Sequence, residues 1–350
     1  MKIKVASIKK VKFKDLDIND IFFNSLKADY LEFEAWFERK ANEDVYILKD
    51  ISNKIQAFLY MKIENEIDNQ INPPIKEERI LKVGTFKINP HGTKLGERFI
   101  KLIFDRMIQE KIRKSYVTIY KKQQPLIELL KTYGFIYWGT KGEEEVYIKN
   151  FDNIVGDIQK DYPLINLKNN KKIILSIYPT FHTSLFPDSK LNTERDHVVE
   201  DLSHTNCIEK IYLSGANNII DYKKGDIIAI YRTTEVGKMA EYSSVVTSIC
   251  TIKDIIDIRK FKNLNDFLEF CNDRTIFKKS DLISFWNTKR YPYLIVMLYN
   301  IALNKRIIRK ELIEDIGISR MARIVAYEIT TKQIEEILEL GRDDKDFILI

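Results

Sequence analysis

"KINPHGTKLGERFIKLIFDRM", residues 87–107, closes a strand-like run and opens an amphipathic helix. Asn89-Pro90 stops the strand, and Phe99, Ile100, Ile103, Phe104, Met107 and Ile108 fall on one face of the helix that follows. The loop between them therefore stands at a helix N-terminus, where unsatisfied amide N–H groups and the helix dipole favour an anion. Thr93, Lys94, Leu95, Gly96 and Glu97 can offer backbone donors to a pyrophosphate, Gly92 and Gly96 permit a close approach, and Lys94 adds a positive charge. The spacing is neither the Gly-x-x-x-x-Gly-Lys-Ser/Thr of a P-loop nor the Gly-x-Gly-x-x-Gly of a dinucleotide fold. Taken alone, the stretch reads equally well as a polar turn.

The strand before it, "ILKVGTFKI" at 80–88, has an alternation that slips. Leu81 and Val83 share one face, Phe86 and Ile88 share another, and the phase changes at Gly84-Thr85. That is the pattern of a β-bulge, which bends a strand and leaves backbone groups unpaired. An amide-bearing ligand could pair with the edge so opened.

Working outward, the first 150 residues alternate regularly. "KIKVASIKKVKF" is strand-like, and "DINDIFFNSLKADYLEFEAWFERKAN" carries apolar residues at helical spacings, as two helices. "DVYILKD" and "KIQAFLYMKI" flank a turn and read as a hairpin. After the loop "NQINPPIKEE" come the strand at 80–88, a helix over 97–111, the strand "SYVTIY", the helix "QPLIELLKTY", and two strands, "FIYWG" and "EVYIKN". The predicted order is β-α-α-β-β-β-α-β-α-β-β, a mixed sheet flanked by helices. The pattern lapses over 151–170, expected as a linker. Residues 171–350 are β-rich, with helices near 264–271, 280–286 and 331–340, the last opened by a capping box of Thr330 and Gln333. The fold class expected is α+β, with a small β-barrel or bent sheet carrying helices in the second half.

A chain of 350 residues exceeds what one hydrophobic core usually serves, so two domains are expected. An apolar fraction of 45% and a charged fraction of 31% are those of a folded enzyme or binding protein, not of a disordered or collagenous chain. No signal peptide and no run of about 18 apolar residues is present, so a cytoplasmic location with no membrane partner is expected. Cys207, Cys250 and Cys271 are odd in number and far apart, which fits buried thiols rather than disulfides or a zinc ribbon. His182, His197 and His204 match no metal-ligand spacing, and no metal site is expected. The positive excess lies entirely in residues 1–150, with 28 Lys and Arg against 22 Asp and Glu, whereas 151–350 balance at 29 and 29. That suits an anionic ligand in the first half and falls short of a strong nucleic-acid binder.

With that order of elements, residues 1–150 resemble the GNAT family of acetyl-CoA-dependent N-acetyltransferases. The family's Arg/Gln-x-x-Gly-x-Gly/Ala loop falls on His91, Lys94 and Gly96, of which Gly96 matches and the other two depart. "LIELLKTYGFIYWG", 126–139, is similar to the family's helix that ends in a Gly-Phe turn. The resemblance implies acetyl-CoA as cofactor, its pantetheine amides along Thr85, Phe86 and Lys87 and its pyrophosphate on His91, Gly92, Thr93, Lys94, Leu95, Gly96 and Glu97. It also implies acetyl transfer to an amine, which needs a polarised thioester carbonyl, a neutral amine and a proton donor for the departing thiolate. No side chain need be acylated, so the lack of a Ser/His/Asp constellation is no objection. In many members the proton donor is a tyrosine whose position here is Leu130, which leaves Tyr133 and Tyr120 as candidate acids. Glu32, Glu34, Glu38 and Glu64 are available carboxylates.

"YKKGDIIAIYRT", 222–233, is similar to the Lys-x-Gly-Asp turn and strand of the PUA-like superfamily, which includes ASCH and EVE domains. That resemblance implies RNA or a modified nucleobase as partner, with Tyr231, Arg232, His182 and Arg290 as contacts. The expected protein is a GNAT-like N-acetyltransferase over 1–150 joined to a PUA-like domain over 171–350 that recognises the acceptor. The alternative is a non-catalytic RNA- or nucleotide-binding protein that keeps the GNAT scaffold.

Overall fold

The computed structural model describes residues 8–50, 52–66, 68–76, 79–89, 92–189, 191, 202–272 and 274–350. They form two compact units that divide after Asn153.

The first unit runs β1 (Lys9–Lys12), α1 (Asn24–Asp29), α2 (Phe33–Arg39), β2 (Asp44–Lys49), β3 (Ile55–Glu64), β4 (Ile80–Ile88), α3 (Leu95–Gln109), β5 (Lys114–Tyr120), α4 (Gln124–Thr132), β6 (Ile136–Lys141) and β7 (Glu144–Asn150). The strands make one sheet in the order β1-β2-β3-β4-β5-β7-β6. All neighbours are antiparallel except β4 and β5, which are parallel because α3 crosses over between them. The predicted apolar face of α3 is buried, with Phe99, Ile103, Phe104, Met107 and Ile108 fully enclosed. Phe13, Phe23, Phe33, Phe37 and Phe58 form an aromatic core under α1 and α2. Phe13 meets Phe37 and Phe58 edge to face, the arrangement that ring quadrupoles favour.

The slipped alternation has the structural result expected of it. Tyr60 of β3 pairs with Thr85 and its neighbour Met61 pairs with Val83, so Gly84 is the extra residue of a bulge. Beyond the bulge β4 leaves β5. The two strands pair only over Leu81–Val83 with Ser115–Val117.

The second unit runs β8 (Lys172–Ile177), α5 (Pro179–Leu185), α6 (Ser203–Asn206), β9 (Glu209–Ser214), β10 (Ile227–Arg232), α7 (Ala240–Ser243), β11 (Val245–Asp257), α8 (Leu264–Cys271), α9 (Lys279–Thr288), β12 (Tyr293–Ile308), α10 (Arg309–Glu314), β13 (Ala326–Ile329), α11 (Thr331–Gly341) and α12 (Lys345–Ile348). Its mixed sheet has the order β13-β8-β10-β11-β12-β9, with β8 and β10 parallel. In the Lys-Lys-Gly-Asp turn, the buried Asp226 carboxylate accepts from the backbone N–H groups of Lys171 and Lys223, each at 2.8 Å. Gly225 there has φ +95°, a conformation that favours glycine. Thr330 and Gln333 form the expected capping box on α11. Residues 151–170, where the periodicity lapses, are packed: the Tyr162 hydroxyl donates to the Tyr299 carbonyl at 2.7 Å, and Ile165 pairs with Leu349. Among the described residues, no helix is long and apolar enough to cross a membrane.

Candidate active site

Where β4 parts from β5 the first unit holds a cavity of about 930 Å³. Its walls are β4 from Lys82 to Ile88, β5 from Val117 to Tyr120, the loop 92–96, α1 and α2, and one face of α4. Because β5 pairs with β4 no further than Val83, the backbone from Gly84 to Ile88 keeps one edge without a strand partner among the described residues. The bulge thus makes the opening. Gly84 has its own constraint, since a Cβ there would lie 2.6 Å from the Tyr60 ring.

Thr85, Phe86, Lys87, Gly92, Thr93, Lys94, Leu95 and Gly96 all line this cavity, whereas Glu97 does not. His91 lies outside the described residues. Three of the lining residues also have packing contacts of their own. The Lys87 ammonium donates to the Phe22 carbonyl and, at 2.7 Å, to the Ser25 hydroxyl, and burial lowers its pKa. It therefore ties the end of β4 to α1. The Phe86 ring stacks on Phe99 of α3 at 6.0 Å, so only its backbone serves the open edge. At Gly96 a Cβ would lie 2.7 Å from Leu129 Cδ2, which explains the glycine by the approach of α3 to α4. Lys94, in the left-handed region with φ 54°, is the N-cap of α3, and its side chain makes no capping bond.

The two candidate acids separate cleanly. Tyr133 is buried, away from the cavity, and its hydroxyl donates to Glu97 at 2.9 Å. Tyr120 lines the cavity at the end of β5, its ring 5.2 Å from that of Tyr30. Desolvation, then the charges of Glu144, Glu143 and Asp29, raise its pKa, so it is a protonated donor at neutral pH. Of the four carboxylates named from the sequence, Glu32 and Glu64 line the cavity and Glu34 and Glu38 do not. Glu64 accepts from the Tyr116 hydroxyl at 2.6 Å and has Lys62 and Lys82 at 3.5 and 3.6 Å. The sequence reading missed Tyr30, Trp36, Tyr60 and Glu144, which also line the cavity. The signal for Glu144 is the strand register, which sets it opposite Tyr120.

In the second unit the four expected nucleic-acid contacts differ in exposure. His182 is fully enclosed, and Tyr231 and Arg232 are each 3% exposed within the sheet core, so none offers a face to a base. Arg232 donates to Glu235 at 2.9 Å. Arg290 alone of the four is exposed, its guanidinium 5.4 Å from the centre of the Tyr291 ring. All three cysteines are buried, the Cys207 thiol donating to the Glu209 carbonyl at 2.8 Å, and burial pushes Cys271 up to about 12. His197 lies outside the described residues, while burial lowers the pKa of His204 to about 4.

His182 Nε2 lies 2.7 Å from the Thr247 hydroxyl, and burial, with Arg232 and Arg306 nearby, pushes its pKa down to about 3. An ordinary histidine titrates near about 6.5 in the unfolded chain. The stabilisation from keeping His182 neutral is therefore complete above about pH 6.5 and is lost as the pH falls towards about 3, on the order of several kcal/mol in total. In His182→Gln the melting temperature should fall less steeply from about pH 7 to about pH 4 than in the parent protein. Equal slopes would mean that His182 is not held neutral.

No family profile matches the chain, and no curated protein matches it. Among solved structures it is similar to a GNAT-family acetyltransferase from Listeria monocytogenes, at 12% identity over 43% of this chain and 99% of that one, with a TM-score of 0.30. It is similar to ASCH from Zymomonas mobilis, at 10% identity over 49% of this chain and 96% of that one, TM-score 0.34. A third match is the NatC complex bound to Gag peptide and CoA, at 16% identity over 41% of this chain and 98% of that one, TM-score 0.29. Each match covers 41–49% of this chain.

Proposed function

We propose that the first unit is an acetyl-CoA-dependent N-acetyltransferase. The observation that carries this reading is the parallel β4–β5 pair that stops at Val83, beside the bulge at Gly84, and opens into a cavity ending at the N-terminus of α3. In this reading the coenzyme's amides pair with the free edge of 84–88, and its pyrophosphate takes the first amides of α3 beside Lys94. The acceptor nitrogen forms a bond to the acetyl carbon, the carbon–sulfur bond breaks, the thiolate takes its proton from the Tyr120 hydroxyl, and the proton that the nitrogen sheds restores the phenol. The non-catalytic alternative leans on Leu130, which stands where many family members have a tyrosine. Leu130 is fully buried in the core, and Tyr120 supplies a phenol on the cavity wall instead.

Calorimetric titration of acetyl-CoA into the full chain tests the reading. The parent protein should bind it, and Lys94→Glu should weaken binding about tenfold, with a smaller effect at high salt. Absence of binding by the parent protein would overturn the proposal.

A further inference from the structure

We propose that Glu144 receives the acceptor's ammonium group, so that the acceptor is a primary amine, cationic at neutral pH, carried on an apolar body. The inference rests on the acetyltransferase reading of the same cavity.

Glu144 opens β7, lies opposite Tyr120 in register and lines the cavity. Its carboxylate accepts one hydrogen bond from the Tyr30 hydroxyl at 2.7 Å. Burial, then Glu144 itself, raises the Tyr30 pKa, so this partner is a neutral donor. The other carboxylates on the walls are differently placed. Glu64 is taken by Tyr116 and flanked by two lysines, Asp29 is paired with Lys122 at 2.5 Å, and Glu32 is exposed. Glu144 has no cationic partner among the described residues. A carboxylate has room for about four hydrogen bonds, so most of its capacity is open to a donor such as an ammonium group.

The surroundings favour a cation at that point. The rings of Tyr30 and Tyr120 stand beside the carboxylate, and aromatic faces attract ammonium groups. Lys40, Lys62, Lys82 and Lys141 also line the cavity, but each is engaged with a carboxylate, Lys40 with Glu43 and Lys141 with Asp68. Leu26, Phe33 and Trp36 of α1 and α2 supply an apolar wall next to Tyr30. An ammonium must lose a proton before its nitrogen can attack the thioester. In this arrangement that proton passes to the Glu144 carboxylate, the Tyr120 proton goes to the sulfur, and the second proton that the nitrogen sheds as the amide forms restores the Tyr120 phenol.

The test is titration of phenethylamine, and separately of phenethyl alcohol, into the full chain saturated with CoA. The parent protein should prefer the amine at least about tenfold, which corresponds to about 1.4 kcal/mol. Glu144→Gln, which keeps an acceptor for Tyr30, should abolish the preference while leaving CoA affinity unchanged, and Glu144→Asp should keep most of it. No preference in the parent protein, or a preference surviving in Glu144→Gln, would overturn the inference. Loss of the preference in both variants would assign Glu144 a packing role and overturn it too. Failure of CoA itself to bind would instead overturn the acetyltransferase reading.

Discussion

Tyr120→Phe should lower turnover by about 10²- to 10⁴-fold, the usual worth of a positioned general acid, with coenzyme affinity unchanged. The substitution removes one oxygen and leaves the ring against Tyr30, so the cavity wall keeps its shape. Its hydroxyl lies 3.5 Å from the Asp29 carbonyl, a weak engagement that leaves it available to a thiolate. Tyr133→Phe is the internal control. That hydroxyl is committed to Glu97 away from the cavity, so its loss should affect stability and spare the chemistry. Steady-state kinetics on both variants, with coenzyme binding measured alongside, decide the matter. Full turnover in Tyr120→Phe would remove this tyrosine from the mechanism.

Gly139→Ala should be the most damaging single methyl group in the first unit. A Cβ at Gly139 would lie 2.1 Å from the Asn72 carbonyl oxygen and 2.8 Å from its carbon, backbone atoms that no rotamer change can move aside. Asn72 and Thr140 exchange two backbone hydrogen bonds of 2.8 Å, and both would have to stretch. Overpacking of this kind costs about 1–3 kcal/mol, and each lost hydrogen bond about 0.5–1.5 kcal/mol more. The effect should reach the cavity, because Lys141 of β6 pairs with Glu144 of β7, which in turn pairs with Tyr120. Denaturant titration should show a midpoint well below that of the parent protein; an unchanged midpoint would mean that the Asn72 segment yields freely.

The order of elements in the first unit was readable because each carries its own period, and the bulge was readable because a phase slip at Gly84 is itself a pattern. β12 escaped because "YLIVMLYNIALNKRII" does not alternate: it lies between β11 and β9 with most residues buried, and a continuous apolar run does not distinguish strand from helix. α5 escaped for a different reason, being only seven residues opened by Pro179. At the site, the loop and the open edge were legible as local sequence, whereas the choice between Tyr120 and Tyr133 was not. That choice depends on which side of a strand or helix end meets the cavity. Glu144 is the middle of three consecutive glutamates, and only the pairing of β5 with β7 singles it out. The buried state of His182, Tyr231 and Arg232 likewise follows from strands distant in sequence.

A seam only three residue pairs long between β4 and β5 makes the seven-stranded sheet two smaller sheets, one of four strands and one of three, joined along a narrow hinge. The brace across that hinge is α3. Its Phe99 leans on Phe86 of the four-stranded part, and its Phe104 leans on Phe135 and Phe151, which flank the three-stranded part. The gape of the cleft is therefore set by the packing of the buried rings Phe99 and Phe104, and a conservative change at either would retune the opening as surely as one on its walls.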